Sequence, residues 1–164
     1  MRPTKFKKLS IAFITSTLAL TLTGCYGSGP NAETRLIKRV TDGAEVILKE
    51  NGANLAVSNL LLVATEDGSA VVVGTFVNYS EENDSLVGLS VNGIPAVITG
   101  ETTIKQSSPI RFEGESATTK GVFNGVGAKA GVNVPLTLNF ARAGEVTTSV
   151  IVRDQRDDYK NVTK

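Results

Sequence analysis

The distribution of apolar and polar residues divides this chain near residue 54. Ahead of that point one run stands out: residues 9–23 (LSIAFITSTLALTLT) contain no charge, and Arg2, Lys5, Lys7 and Lys8 precede them without an acid. Residues 26–33 (YGSGPNAE) have too little to bury to order themselves and predict a short flexible tether. Residues 35–40 and 44–49 are weaker extended candidates on either side of a turn at Thr41, Asp42 and Gly43, and some helix within 32–40 also fits.

From residue 54 the period is two. Residues 55–63 are rich in Leu and Val and run into Glu66, Asp67 and Gly68, a hairpin signal. In 71–79, Val71, Val73 and Val77 fall on one face and Val72 and Phe76 on the other, which predicts a central strand covered at least partly on both sides. Strands at 86–91 and 94–98 flank Asn92-Gly93, a strong two-residue hairpin signal. The polar stretch 100–110 predicts a long connection, followed by strands at 110–112 and 118–123. The clearest alternation is 132–140, with Val132, Val134, Leu136, Leu138 and Phe140 pointing one way. Pro135 lacks an N–H and needs an edge or a solvent-facing site. Ala141, Arg142, Ala143 and Gly144 turn the chain into 145–152, where Val146, Val150 and Val152 share a face with Thr148. Short strands about every 8–12 residues, with turns between them and no long amphipathic helix, predict an all-β fold, a single β-sandwich over 35–153. Residues 153–164 carry four basic and three acidic side chains with little to bury, so 154–164 reads as a disordered tail.

The uncharged run at 9–23 is too short for the roughly 20 residues that cross a bilayer as a helix. A basic start, a short apolar run and a small residue at its end predict an export signal instead. It closes on Leu22-Thr23-Gly24-Cys25, which resembles a bacterial lipobox. That resemblance implies a signal peptide over 1–24 with Gly24 as its last residue. It implies Cys25 as the new N-terminus, its thiol carrying a diacylglycerol with palmitate-type chains, and 25–34 as lipidated start and tether. The chain is then expected on the extracytoplasmic face of the cell membrane, lipid-anchored.

Composition narrows the chemistry. Removing 1–24 takes four of 17 basic residues and none of 16 acidic ones, leaving 13 against 16 and a formal charge of −3. That excludes the clustered cations on which nucleic-acid binding rests. There is no histidine or tryptophan, and Met1 and Cys25 are the sole methionine and cysteine. No disulfide can form within the chain, and no Ser-His-Asp, Cys-His or histidine-based zinc site can be built.

Four stretches carry a further resemblance, in this order: GTFVN at 74–78, NDSLVG at 83–88, VPLTLNF at 134–140 and GEV at 144–146. They resemble the actinobacterial cell-envelope lipoproteins of the LpqE type and, more distantly, the periplasmic copper chaperones called PCu(A)C, over roughly 55–152. The resemblance implies a Greek-key β-sandwich of immunoglobulin or cupredoxin type. It also implies a Cu(I) site of histidine and methionine, including a His-x-Met ahead of the VPLTLTF-like strand. Gly125-Val126 is similar to the Gly-Leu after that motif, which places Lys120 at the histidine position and Val122 at a methionine position. A protonated lysine and a valine cannot ligate copper.

Other constellations are weaker. Glu81, Glu82 and Asp84 around Asn83 form an acidic loop that could meet a hard cation through oxygens, but the spacing of a calcium loop is missing and a solvated turn is expected. Carboxylate pairs for glycoside chemistry would need aromatic platforms, and aromatics are 5% of the chain. Asn78, Asn83 and Asn161 open Asn-x-Ser/Thr triplets that are expected to be coincidental. The functional expectation is therefore not an enzyme, and no cofactor is expected beyond the diacylglycerol on Cys25. It is a membrane-anchored binding or scaffolding module of the cell envelope, its partners the membrane and an envelope protein or wall polymer. The alternative is a metal-chaperone-like protein with other ligands.

Overall fold

The computed structural model describes residues 42–164. Gly24, Cys25, the export signal, the tether and the 32–40 segment lie outside the described residues. Within them the chain forms β1 (Ala44–Leu48), β2 (Leu55–Ala64), β3 (Ala70–Asn78), β4 (Asp84–Val91), β5 (Ile94–Pro95) and β6 (Val97–Gly100). It continues through β7 (Thr103–Ile104), β8 (Ile110–Arg111), β9 (Thr119–Phe123), β10 (Asn133–Phe140) and β11 (Gly144–Arg153) to a 3₁₀ turn at Asp157–Tyr159. No α-helix occurs among the described residues. The fold is an all-β sandwich, as the alternation predicts.

The strands run in the order β5-β4-β10-β11-β2-β3-β9-β6, with β1 on β2, β7 on β4 and β8 on β3. One leaf is β5-β4-β10-β11; the other is built on β2, β3, β9 and β6. They join where β11 meets β2 in two parallel pairs, Val152 with Leu62 and Arg153 with Val63, while every other strand pair is antiparallel. Between the leaves Phe76 of β3 sits 5.1 Å from Phe112 and 6.0 Å from Phe140 of β10, ring centre to ring centre. Each such ring contributes about 1.5–3 kcal/mol by leaving water.

The Asn92-Gly93 turn has both residues at positive φ, 50° and 80°, as a two-residue primed turn requires. Gly68 closes the β2–β3 hairpin at φ +76°. Pro135 lies just beyond the β4 ladder, which begins at Leu136, so its missing N–H costs no bond on that side.

Three expectations are corrected, and one feature of β2 is new. The strand expected over 94–98 is two: Pro95 ends β5, the Ala96 N–H donates to the Leu89 carbonyl at 2.9 Å, and the chain crosses to the other leaf as β6. The polar connection 100–110 hides β7, whose Ile104 is fully buried against the core. In β2 the inward residues are Leu55 and Val57, then Leu60 and Leu62; this three-residue step marks a bulge at Asn59 (φ +52°). Gly43 permits the bulge: its N–H donates to Asn59 Oδ1 at 3.1 Å, and a Cβ there would stand 2.3 Å from the Asn59 carbonyl carbon. Beyond the bulge Leu61 and Val63 point outward with Val71, and this second apolar surface needs a cover. The segment expected to have nothing to bury supplies it: Val162 is buried against these three residues, beside Tyr159.

Candidate functional site

The acidic loop between β3 and β4 is held from within. Asp84 is buried, and its carboxylate accepts the backbone N–H groups of Ser85 (2.7 Å), Arg142 (2.9 Å) and Ala143 (3.0 Å). It therefore caps the β10–β11 turn across the sequence. The Arg142 guanidinium returns the contact, pairing with Glu82 at 2.8 Å and donating to the Glu82 carbonyl at 3.2 Å. Asn78 closes the loop from the other side: its Nδ2 donates to the carbonyls of Glu82 (2.8 Å) and Ile104 (3.0 Å), and its Oδ1 accepts from the Ser80 N–H. The amide of Asn78 is thus buried and fully used, so the triplet it opens cannot be an attachment site. With Asp84 turned inward and Glu81 and Glu82 exposed, the three carboxylates of the loop do not converge, and no cluster of three metal-binding side chains occurs among the described residues.

The second candidate lies on β9. Thr119, Gly121 and Phe123 point inward and are buried, so Lys120 and Val122 share the outer face. Val122 stands directly opposite Val71 of β3 and Val97 of β6, and Lys120 stands opposite Thr99. Beside Lys120 is Glu113, in the loop after β8. Burial pushes its carboxyl up from the usual glutamate range, against the opposing pull of the Lys120 charge, and its Oε1 is shut from solvent without a donor. Glu113 borders two clefts, one running to Thr99 and Lys120, the other reaching Val73, Tyr159 and Asn161. Sequence reasoning missed it, because a single Glu in a Gly/Ser/Thr loop gives no periodic signal.

No protein-family model and no curated protein sequence matches the chain. Solved structures do. An apo PCuAC domain from PmoF1 is 22% identical, with a TM-score of 0.56 over 68% of this chain and 99% of that one. A copper-bound PCuAC domain from PmoF2 is 17% identical, with the same TM-score over 68% and 98%. The fold is similar to that of these PCuAC domains. At these identities the likeness is one of backbone architecture, and it agrees with the sandwich that the sequence resemblance implied.

Within a PCuAC-like sandwich, the question is what the chain offers to a soft metal. The strand carrying the two inferred ligand positions presents an ammonium and an isopropyl group. The carboxylate bordering the same cleft is Glu113, a hard oxygen ligand with Lys120 at its side. This donor set does not fit Cu(I), which selects thiolate, thioether and imidazole.

Proposed function

We propose that this chain is an extracytoplasmic lipoprotein of the LpqE type, anchored through a diacylglycerol on Cys25. Its PCuAC-like sandwich acts as a non-catalytic binding or scaffolding module of the cell envelope. What supports this reading is the side-chain chemistry of β9: Lys120 and Val122 share its outer face, and they are the positions to which the sequence resemblance assigns a histidine and a methionine. Val122 instead continues an apolar row with Val71 and Val97, which is suited to contact and not to coordination. The second reading, a metal-chaperone-like protein using other ligands, draws on the fold it shares with a copper-bound domain. It would have to work through carboxylates and amides.

Competition with bathocuproine separates the two. Residues 26–164 contain no Met, His or Cys, so Cu(I) should bind no tighter than the millimolar range, about −4 kcal/mol. Micromolar affinity would overturn the binding-module reading in favour of the chaperone. Titrations with Cu(II), Zn²⁺ and Ca²⁺ in the same format extend the comparison to harder ions.

A further inference from the structure

One apolar row crosses four strands on the outside of the sandwich: Val63 stands opposite Val71, Val71 opposite Val122, and Val122 opposite Val97. Its two ends differ. At the β2–β3 end Val63 and Val71 are fully buried, and Val162 with Tyr159 covers them. At the β9–β6 end Val122 is half-buried and Val97 is 55% exposed. The segment 154–164 thus lies over half of a continuous strip and leaves the other half open.

That segment is held at few points. The Val162 side chain is its one buried anchor, and the Arg153 guanidinium of β11 lies 6.0 Å from the Tyr159 ring centre; the Gln155 Nε2 bond to the Val162 carbonyl at 2.6 Å is internal to the segment. Lys164 pairs with Asp67 at the surface, where such contacts are worth about 0–1 kcal/mol. The fit also has a defect. Glu113 shares a cleft with Asp158 and Asn161, yet its buried Oε1 receives no hydrogen bond from either. A buried acceptor left without a donor costs free energy that a better occupant would recover.

We infer that this strip is a docking surface for an extended peptide segment of a partner protein, and that residues 154–164 occupy half of it as an internal stand-in. The partner's chemistry follows from what the stand-in does and fails to do. An aliphatic side chain replaces Val162, and a basic side chain replaces Asn161 and supplies a donor to Oε1 of Glu113. With the segment displaced, Asp67, Glu113 and Glu115 flank that end of the strip; of the nearby cations, Lys120 stands beside Glu113, and Arg153, in register with Val63, is already paired with Asp42. An aliphatic, cationic strand is complementary to that set. This rests on reading the chain as a binding module and names the class of its partner.

The test uses residues 26–164, which lack the proposed lipid, and two synthetic peptides, residues 155–164 and the same sequence with Asn161→Lys, followed by fluorescence anisotropy. Wild-type protein should bind both weakly, because its own segment competes. Val162→Asp, which expels that segment, should bind both, the lysine peptide about tenfold more tightly, and adding Glu113→Gln should erase that tenfold gain. If a Val162→Asp chain with intact β circular dichroism bound neither peptide, or if wild type bound them equally well, the inference would fail. Should Val162→Asp not fold, Lys164→Glu is the milder release, and peptide binding no stronger than wild type would be equally fatal. Saturable binding of the released variant to phosphatidylglycerol vesicles, with none to peptides, would make the strip a membrane face and overturn the peptide reading. None of these failures bears on the copper competition, which tests the module reading separately.

Discussion

Asp84 and Glu82 are two acids of one loop with opposite physical roles. Glu82 meets Arg142 at the surface, where an ion pair is worth about 0–1 kcal/mol. Asp84 is 2% exposed and accepts three backbone N–H groups, two of them from the β10–β11 turn. Truncating it would leave those donors without a charged acceptor, and a buried donor without its partner costs about 1–3 kcal/mol. Asp84→Ala should therefore lower unfolding stability by about 3 kcal/mol or more in a urea titration, while Glu82→Gln stays within about 0.5 kcal/mol. Equal effects would mean that the caps are not what holds the loop. Nothing in the letters Glu-Glu-Asn-Asp separates these roles, because the groups that Asp84 caps arrive from 58 and 59 residues further along. Lys120 and Val122 were singled out by the sequence resemblance alone. The valine row that includes Val122 was not legible, since rows across a sheet are set by register between strands and not by spacing within one.

At the scale of the element, alternation was enough wherever one face is apolar and the other polar, as in β10 and β11, and Asn92-Gly93 placed its hairpin by backbone conformation alone. Reading failed where both faces are apolar. In β2 a run of Leu and Val hides the bulge that exchanges inside for outside, so Leu61 and Val63 could not be told from Leu60 and Leu62. The tail was misread for the same reason, since its cover for Leu61, Val63 and Val71 is required only once those side chains face outward. The bulge depends on a close approach from a distant glycine, which gives a specific expectation. Gly43→Ala should destabilise the fold by about 1–3 kcal/mol, because the new methyl would press on the backbone of Asn59 and no flexible side chain can yield. Gly88→Ala in β4 is the control: it meets nothing within 4 Å, and its φ is not among the positive ones. Thermal unfolding should separate the two, with hydrogen exchange in β1 faster in the Gly43 variant alone. A Gly43→Ala protein as stable as the Gly88→Ala control would remove this glycine from the account of the bulge.

For the molecule as a whole, the proposed anchor and the fold carry separate expectations. Residues 42–164 close their core without a single sulfur, so no contact within them depends on Cys25. The Cys25 thiol, at the end of the proposed export signal, is in turn the atom to which the proposed lipid attaches, and serine offers no thiol for the thioether. One acyl chain holds a protein to a bilayer only marginally, whereas two or more, at about 0.8 kcal/mol for each buried CH₂, hold it stably. Cys25→Ser is therefore expected to stop both lipid attachment and removal of residues 1–24. A longer precursor should accumulate, readable by gel mobility and by loss of incorporated radiolabelled palmitate. The sandwich should be untouched: after extraction in detergent, the variant's denaturant midpoint should match that of the wild type. These two readouts divide the outcomes. A processed, palmitate-labelled and membrane-bound Cys25→Ser chain would sink the lipobox reading and leave the fold standing. A variant that lost its unfolding transition would show instead that the N-terminal segment takes part in the fold.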